Sequence, residues 1–409
     1  MSNINVWKDF SQIITLEKSF SKDGRNLTPD DLSIIENGAV VFNDNEILWV
    51  GKTNEIPECY LGENSNSFPE KILLPELVDS HTHLIFGGDR AVEYGMRLNG
   101  STYEEIAAAG GGILNTTIGT NSSSSKSLLT TSIDKIKQIQ SYGIGTIEIK
   151  SGYGLNYKKE KELTEIIHEL KQYFYPKVQI KNTFMAAHAI PKKYDSSSLY
   201  LQKVVIPLLK EMAPLNIIDA VDIFHEVNYF NKEDVIVLFQ EAEKLNIPTK
   251  IHADEFHDNG GATLAASFNS LSADHLLSCG EDGIKNISNS KTVATLLPGT
   301  GLFLGKKSAD ARKLLDSGAK VAIASDYNPG SCHCDNLLLL ASIAAPMYKM
   351  NLAELWVAIT LNAAHALGLY QQGVIKEKFH PRFSIFNCSK VEDITYGWGK
   401  NLFFANIKH

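Results

Sequence analysis

The chain has 409 residues, which is more than the roughly 150 residues of a typical domain and indicates two or three domains or one large barrel. Hydrophobic residues make up 44% and charged residues 21%, a balance that can bury a large core and excludes a disordered or fibrous chain. The formal net charge of -8 is not that of a typical nucleic-acid binding protein, so we expect no nucleic acid among the partners.

The chain contains five cysteines, and this small, odd number indicates a reducing compartment. The first 20 residues lack the basic and then apolar segments of a signal peptide. The longest uncharged apolar stretch, residues 337–347, is far shorter than the ~20 residues that a membrane-spanning helix needs. We therefore expect a cytoplasmic protein without membrane contact.

The first 70 residues have the pattern of short strands joined by turns. Residues 39–42 and 47–50 are apolar and flank Asn43-Asp44-Asn45-Glu46, which predicts a β-hairpin. From residue 72 onward, short apolar runs alternate with longer stretches of helical composition. The predicted strands in this region are residues 72–78, 144–150, 178–185, 220–224, 247–252, 271–275, 292–297 and 320–326.

Eight strand–helix units in succession predict an α/β fold in which parallel strands close into a (β/α)8 barrel of the TIM type. An open, doubly wound sheet would show the same alternation, so this alternative stays open. We place the barrel at residues 71–369. The segment between its first two strands, residues 93–121, is rich in Gly and Ser and predicts a long functional loop.

The C-terminal residues return to strand-like runs at residues 382–386 and 401–407. A second region of strands at the far end of the chain indicates that both ends build one structure. We therefore predict a small β-sandwich domain formed by residues 1–70 together with residues 370–409.

Polar residues follow most of the predicted barrel strands at the point where each strand ends. In a TIM barrel these ends open on one face, where active sites are built, so their shared position predicts a single site. The residues at these positions are His81, His83, Tyr153, His188, His225, Glu226, His252, Glu255, His275 and Asp326.

Four of these residues have the chemistry of a metal centre. His81 and His83 are two residues apart, so both imidazoles project to the same side of an extended chain. Such pairs also occur by chance. Together with His252 and Asp326 they offer three nitrogens and one oxygen, a set that holds a metal ion and leaves a position open for water.

The remaining polar residues suggest the chemistry around this ion. Glu255 is placed to accept a proton from metal-activated water, although Asp254 serves equally well on spacing alone. His275 could polarise a substrate carbonyl or orient a metal ligand. Arg90 offers a planar guanidinium suited to a carboxylate, which predicts a small anionic substrate.

Two further features could also suggest metal binding. Cys332-His333-Cys334 lacks the second pair of ligands that a structural zinc site needs, so we interpret it as a reduced loop. Lys150 could be a carbamylated lysine that bridges two metals, but with Glu148 nearby it could equally be an ion-paired core lysine. One metal ion is the simpler account.

Several motifs together resemble the amidohydrolase superfamily of metal-dependent hydrolases, over most of residues 72–369. His81-Thr82-His83 is typical of the superfamily as a whole. The motifs that resemble one of its branches are Gly87-Gly88-Asp89-Arg90, Ser151-Gly152-Tyr153-Gly154 and Asn328-Pro329-Gly330-Ser331. That branch opens the ring of 4-imidazolone-5-propanoate to N-formimidoyl-L-glutamate in histidine degradation, and the resemblance implies the same activity here.

The resemblance also implies roles for individual residues. The metal, one zinc or iron ion, would be held by His81, His83, His252 and Asp326, and catalysis would use Glu255, His275 and Asp326. The implied substrate-binding residues are Arg90, Tyr103, Tyr153, His188, Glu255, Asn328, Gly330 and Ser331. A homodimer is the commonest assembly for such enzymes, and we carry it as an expectation.

Two other functions remain as alternatives. A metal-dependent deaminase of a cyclic base would use the same His, Glu and Asp set, but a neutral base would leave Arg90 without an anionic partner. A barrel that has lost activity and serves as a scaffold should lack the base or a ligand. Glu255, His275 and Asp326 are all present, which disfavours the scaffold.

Overall fold

A computed structural model of the chain describes residues 4–101, 105–106 and 110–406. Within this part of the chain the strands form a mixed seven-stranded sheet and a parallel eight-stranded sheet. No helix in the same residues has both the length and the apolar character needed to cross a membrane.

The strands are β1 (Asn5–Ile14), β2 (Ile34–Phe42), β3 (Ile47–Lys52), β4 (Asn64–Ser67), β5 (Ile72–Pro75), β6 (Leu77–Asp79), β7 (Ile144–Lys150), β8 (Gln179–Ala187), β9 (Ala220–His225), β10 (Lys250–Ala253), β11 (Ser272–His275), β12 (Val293–Leu296), β13 (Val321–Ile323), β14 (Phe383–Phe386) and β15 (Phe403–Asn406). The α-helices are α1 (Glu17–Ser21), α2 (Ala91–Leu98), α3 (Ile113–Ser122), α4 (Ser125–Gln140), α5 (Tyr157–Phe174), α6 (Ser197–Tyr200), α7 (Ile206–Met212), α8 (Lys232–Lys244), α9 (Gly261–Ser267), α10 (Glu281–Ser288), α11 (Pro298–Leu304), α12 (Ala311–Asp316), α13 (Leu337–Met347), α14 (Leu352–Ala358), α15 (Leu361–His365) and α16 (Glu392–Tyr396).

The parallel sheet is a barrel whose strands β6 to β13 follow one another in chain order. It closes just beyond the strand ends, where the Asp326 N–H donates to the His81 carbonyl at 3.0 Å. The His83 N–H donates to the Tyr327 carbonyl, also at 3.0 Å. These bonds join the last strand to the first, so the predicted barrel is confirmed and the open sheet is excluded.

The first predicted strand, residues 72–78, is two strands in the structure. Residues Ile72–Pro75 pair with β1 and β14 in the mixed sheet, and the barrel begins only at Leu77. Glu76 lies at the crossing, where its carboxylate accepts from Arg382 Nε and Thr146 Oγ1, both at 2.8 Å. A buried carboxylate bonded to both regions interrupts the strand. The domain boundary at residue 70 stays a prediction.

The small β domain contains the predicted hairpin and the predicted C-terminal strands. β2 and β3 pair antiparallel across the turn at residues 43–46, and β14 pairs antiparallel with β15. The sheet order is β15-β14-β5-β1-β2-β3, with β4 branching from β1. β5 and β1 separate β14 from β2 in this order, yet the ring centroids of Phe42 in β2 and Phe383 in β14 lie 5.5 Å apart. The sheet therefore folds back on itself around an aromatic core.

The Gly- and Ser-rich insert is more helical than predicted. Its described residues include the C-terminal part of α2 and nearly all of α3. Gly119 of α3 packs against Gly87, since a β-carbon on Gly119 would lie 2.6 Å from the Gly87 carbonyl oxygen. The Gly87 N–H donates to Thr120 Oγ1 at 3.0 Å. Some of the small residues therefore reflect close helix packing above the barrel, and composition alone suggested a loop.

Candidate active site

His81, His83, His252 and Asp326 converge at the mouth of the barrel. The three imidazoles offer ring nitrogens that all lie within 4.8 Å of one another. His83 Nε2 lies 3.2 Å from His252 Nε2. Asp326 Oδ1 lies 3.6 Å from His81 Nε2 and 3.7 Å from His83 Nε2. All four side chains are buried, so the structure brings together the four residues predicted as metal ligands.

This donor set fits a metal ion. Burial lowers the pKa of both His81 and His83 well below the ordinary value, so both rings are neutral and offer lone pairs. The buried Nε2 atom of His81 has no hydrogen-bond partner among the described residues. Three imidazole nitrogens and a carboxylate oxygen are donors of the kind that bind zinc in proteins. The same donors also suit iron.

Two buried aspartates hold the imidazoles in the orientation that metal binding requires. Asp274 Oδ2 lies 2.6 Å from His81 Nδ1, and Asp222 Oδ2 lies 3.1 Å from His252 Nδ1. A carboxylate that accepts from Nδ1–H fixes the tautomer and leaves the Nε2 lone pair facing the metal. Both aspartates lie inside barrel strands, and neither was assigned a role from the sequence.

Two lysines in turn hold these aspartates from below. Lys150 Nζ lies 2.7 Å from Asp222 Oδ2 and 2.8 Å from Glu148 Oε2, and Lys250 Nζ lies 3.3 Å from Glu148 Oε1. Burial alone would lower the pKa of Lys150, but the neighbouring carboxylates of Asp222 and Glu148 raise it. Lys150 is therefore an ion-paired ammonium and not a carbamylated lysine.

The buried charges around the site are unequal in number. Among the described residues, four carboxylates contact these lysines or the converging imidazoles, against two ammonium groups. A divalent cation at the imidazoles would balance this excess of negative charge. The carboxylates are those of Glu148, Asp222, Asp274 and Asp326.

Two site residues leave their strands through left-handed backbone, which side chains other than glycine adopt at a cost. The φ angle is +79° at His275 and +51° at Asp326. The Thr300 hydroxyl donates to Asp326 Oδ2, so Oδ1 remains to face the imidazoles. Thr300 lies in α11, next to the end of β12, and no sequence pattern had assigned it this contact.

The structure distinguishes Glu255 from Asp254 as the candidate base. Glu255 lines the pocket beside the metal ligands, and its Oε2 lies 3.7 Å from His275 Nε2. Asp254 instead accepts from the backbone N–H groups of Gly261 and Ala262 at the start of α9, both at 2.9 Å. Burial raises the pKa of Glu255 well above its ordinary value.

The pocket above the metal ligands contains most of the residues predicted to bind substrate. Tyr103 lies outside the described residues. His225 does not line the pocket, because its Nδ1 faces the Phe230 carbonyl at 2.9 Å. The predicted residues that line the pocket are Arg90, Tyr153, His188, Glu255, His275, Asn328, Gly330 and Ser331.

Arg90 is held firmly on one side and faces the pocket on the other. Its Nε donates to Glu93 Oε2 at 2.7 Å. A β-carbon on Gly330 would lie 1.8 Å from Arg90 Nη1, so a larger residue at this position would have to displace the guanidinium. Asn328 Oδ1 accepts from the N–H groups of Gly330 and Ser331 at 2.7 and 2.8 Å. The turn and the guanidinium therefore form one rigid wall of the pocket.

Several pocket residues had not been predicted. Phe224 and Phe256 give the pocket apolar surface, and Arg97 donates from Nη2 to the Gly330 carbonyl at 3.0 Å. The sequence did contain one signal for the contact between Asp222 and His252. Asp222 is a lone charge in the otherwise apolar start of a barrel strand. A charged residue at such a position must face a partner inside the barrel.

The Amidohydrolase family model matches residues 72–403 of the chain. This match spans the whole barrel and much of the C-terminal region. The chain therefore belongs to the amidohydrolase family.

Its relatives place it more narrowly. Imidazolonepropionase of Paracoccus denitrificans is 37% identical over 376 residues, which cover 91% of this chain and 94% of that protein. Imidazolonepropionase of Bacillus cytotoxicus is 39% identical over 362 residues, which cover 88% of this chain and 84% of that protein. At this identity and coverage, the chain is a member of the imidazolonepropionases.

Solved structures of other enzymes share the fold. Atrazine chlorohydrolase TrzN from Arthrobacter aurescens TC1, complexed with zinc, has a TM-score of 0.67 at 16% identity, covering 95% of this chain and 88% of its own. Guanine deaminase from C. acetobutylicum, with bound guanine, has a TM-score of 0.68 at 15% identity. The match covers 99% of this chain and 98% of the deaminase chain. At these identities the likeness concerns the fold alone.

We predict that Asp274→Asn weakens metal binding by roughly ten- to a hundredfold, because an amide in place of this carboxylate no longer fixes the His81 tautomer. Competition with a chelator measures the affinity. Asp234→Asn is the matched control, since Asp234 is also buried but accepts from the Asn231 N–H at the start of α8. Equal affinities in the two variants would show that Asp274 does not support the metal site.

Proposed function

We propose that the protein hydrolyses 4-imidazolone-5-propanoate to N-formimidoyl-L-glutamate. One observation carries this proposal: the pocket beside the buried three-histidine, one-aspartate donor set is lined by Glu255 and by Arg90, a cation suited to a carboxylate. The kinship with imidazolonepropionases over about nine-tenths of the chain supports the same reaction.

We further propose that the donor set holds one zinc or iron ion. His81, His83, His252 and Asp326 would be its ligands. When bound, the ion acts as a Lewis acid that polarises the ring carbonyl and lowers the pKa of a water molecule to about 7. The complex of a structural relative with zinc is in keeping with this assignment.

Glu255 and His275 carry the proton chemistry. Glu255 accepts the proton of the attacking water as the new C–O bond forms at the ring carbonyl. Burial lowers the pKa of His275 well below its ordinary value, so its neutral ring donates a hydrogen bond to the developing oxyanion. The C–N bond then breaks, and Glu255 returns the proton to the departing ring nitrogen, directly or by way of Asp326.

Arg90, Tyr153 and His188 hold the substrate. The Arg90 guanidinium binds the propionate through paired hydrogen bonds. Burial raises the pKa of Tyr153, so its hydroxyl stays protonated and can donate to the ring. Burial lowers the pKa of His188 to about 3, so its ring is neutral as well. With Tyr153 and His188 neutral, Arg90 is the cation that we propose binds the propionate.

A deaminase of a cyclic base is the alternative that the sequence left open. Guanine deaminase shares the fold, but the likeness at 15% identity does not extend to substrate. Arg90 already pairs with Glu93 through Nε, but a neutral base would leave its remaining guanidinium donors without the carboxylate that a propionate would supply. The ring-opening reaction would use the metal donor set, Glu255, His275 and Arg90 together, so we favour it over deamination.

Adding the purified protein to 4-imidazolone-5-propanoate should remove the imidazolone absorbance, while a panel of nucleobases should release no ammonia. Glu255→Gln, which keeps the shape of the side chain, should lower kcat by about 10²- to 10⁴-fold because the proton acceptor is lost. Metal content should be unchanged in this variant. Nucleobase deamination without loss of the imidazolone would refute the proposed function.

Arg90→Ala should raise KM for 4-imidazolone-5-propanoate by at least about tenfold, since a charge-assisted pair contributes roughly 1.5–3 kcal/mol. KM for an analogue that lacks the carboxylate should change much less. Arg90→Lys provides the control, because it retains the charge without the planar pair of donors. Equal losses on both compounds would remove Arg90 from its proposed role.

A further inference from the structure

The loop that carries Tyr153 has an unfavourable backbone conformation. It follows β7 at residues 151–155, where Gly152 has a φ angle of +118° and Leu155 a φ angle of +50°. A left-handed conformation at a residue such as Leu155 persists only when surrounding contacts hold it. The loop therefore needs a partner that holds its backbone in place.

Glu160 of α5 is that partner. Its carboxylate is fully buried and accepts three backbone N–H groups of the loop. Oε2 accepts from Gly152 at 2.9 Å, and Oε1 accepts from Gly154 at 2.6 Å and from Leu155 at 2.9 Å. Hydrogen bonds to an ionised acceptor are among the stronger ones in proteins. The loop backbone is thus wrapped around one carboxylate.

The contacts continue from this loop to the substrate pocket. The Gly152 carbonyl lies 3.2 Å from His188 Nδ1. A β-carbon on Gly152 would come within 3.0 Å of the His188 side chain, so the two residues are closely packed. The His188 ring lies 5.2 Å from that of Tyr153 and stacks on His83 at 4.8 Å. Movement of Gly152 would therefore displace both Tyr153 and His188.

We propose that Glu160 is a positioning residue that sets the placement of Tyr153 and His188 against the substrate ring. It does not line the pocket, so it acts through the loop and touches no reacting atom. The proposal rests on the proposed function only in that Tyr153 and His188 contact the substrate.

Glu160→Gln is the sharpest test, because both carboxylate oxygens act as acceptors. The variant must turn its NH2 group toward at least one loop N–H, which places two donors face to face. We expect KM for 4-imidazolone-5-propanoate to rise about tenfold, the effect of one unsatisfied buried group, while kcat per bound metal changes by less than about twofold. Glu165→Gln removes a charge from the exposed side of the same helix and should leave both constants unchanged.

A purely structural role for Glu160 predicts a different result. In that case Glu160→Gln lowers thermal stability and the fraction of active protein, while KM of the active fraction equals that of the wild type. That outcome would overturn the proposal. A Tyr153→Ala background provides a second check, since Glu160→Gln should then raise KM far less than tenfold if it acts through Tyr153.

Two further measurements separate this proposal from the proposed function. If the wild-type protein does not consume the imidazolone, the function fails, and crystal structures then decide on Glu160. A shift of residues 151–155 in Glu160→Gln, with the metal ligands in place, supports the positioning role; an unmoved loop refutes it. Should Glu160→Gln not fold, Glu160→Asp retracts the carboxylate by one methylene, and an unchanged loop and KM in that variant would likewise refute it.

Discussion

Charge buried inside the barrel has to be neutralised there, and this requirement organises the metal site. Lys150 and Lys250 are fully buried, and an unpaired ammonium in such a place would be very unfavourable. Their partners include Asp222 and Asp274, and the same two carboxylates hold His252 and His81. The positions of these two imidazoles are therefore determined by the ion pairs of their carboxylate partners. A cation at the mouth would complete the balance of charge.

The substrate side of the site is held by a different device. There, buried carboxylates accept backbone N–H groups and so set the shape of loops. Glu160 holds the loop with Tyr153, and Glu226 accepts from the Phe256 N–H at 2.8 Å, next to Glu255. Asp254 does the same at the start of α9. The proposed metal ligands depend on charge pairs inside the barrel, whereas the proposed substrate contacts depend on loops folded around acidic side chains.

Much of this arrangement could be predicted from the sequence, because the alternation of apolar runs marks the strands and the polar residues that follow the runs mark the strand ends. Short apolar runs located the barrel strands, and the polar residues after them included His81, His252 and Asp326. What could not be predicted depends on contacts between distant segments. Closure of the barrel rests on bonds such as that from Asp326 N–H to the His81 carbonyl. The strand break at Glu76 depends on Arg382, which lies 306 residues away along the chain.

Local composition was also ambiguous in places. A high glycine content in the insert is consistent both with a loop and with helices that pack closely, as Gly119 does on Gly87. Composition alone does not distinguish the two. The choice between Asp254 and Glu255 could not be made from spacing, since neighbouring acids are equivalent until the backbone direction is known. Asp254 has a φ angle of +51°, which no pattern of side chains indicated.

The most direct measurement is anomalous diffraction from crystals of the purified protein, at the absorption edge of its bound metal. The account predicts one peak per chain, within coordination distance of the Nε2 atoms of His81, His83 and His252 and of Asp326 Oδ1. A peak at another position, such as Cys332 and Cys334, or full turnover by protein whose crystals show no peak at all, would contradict it.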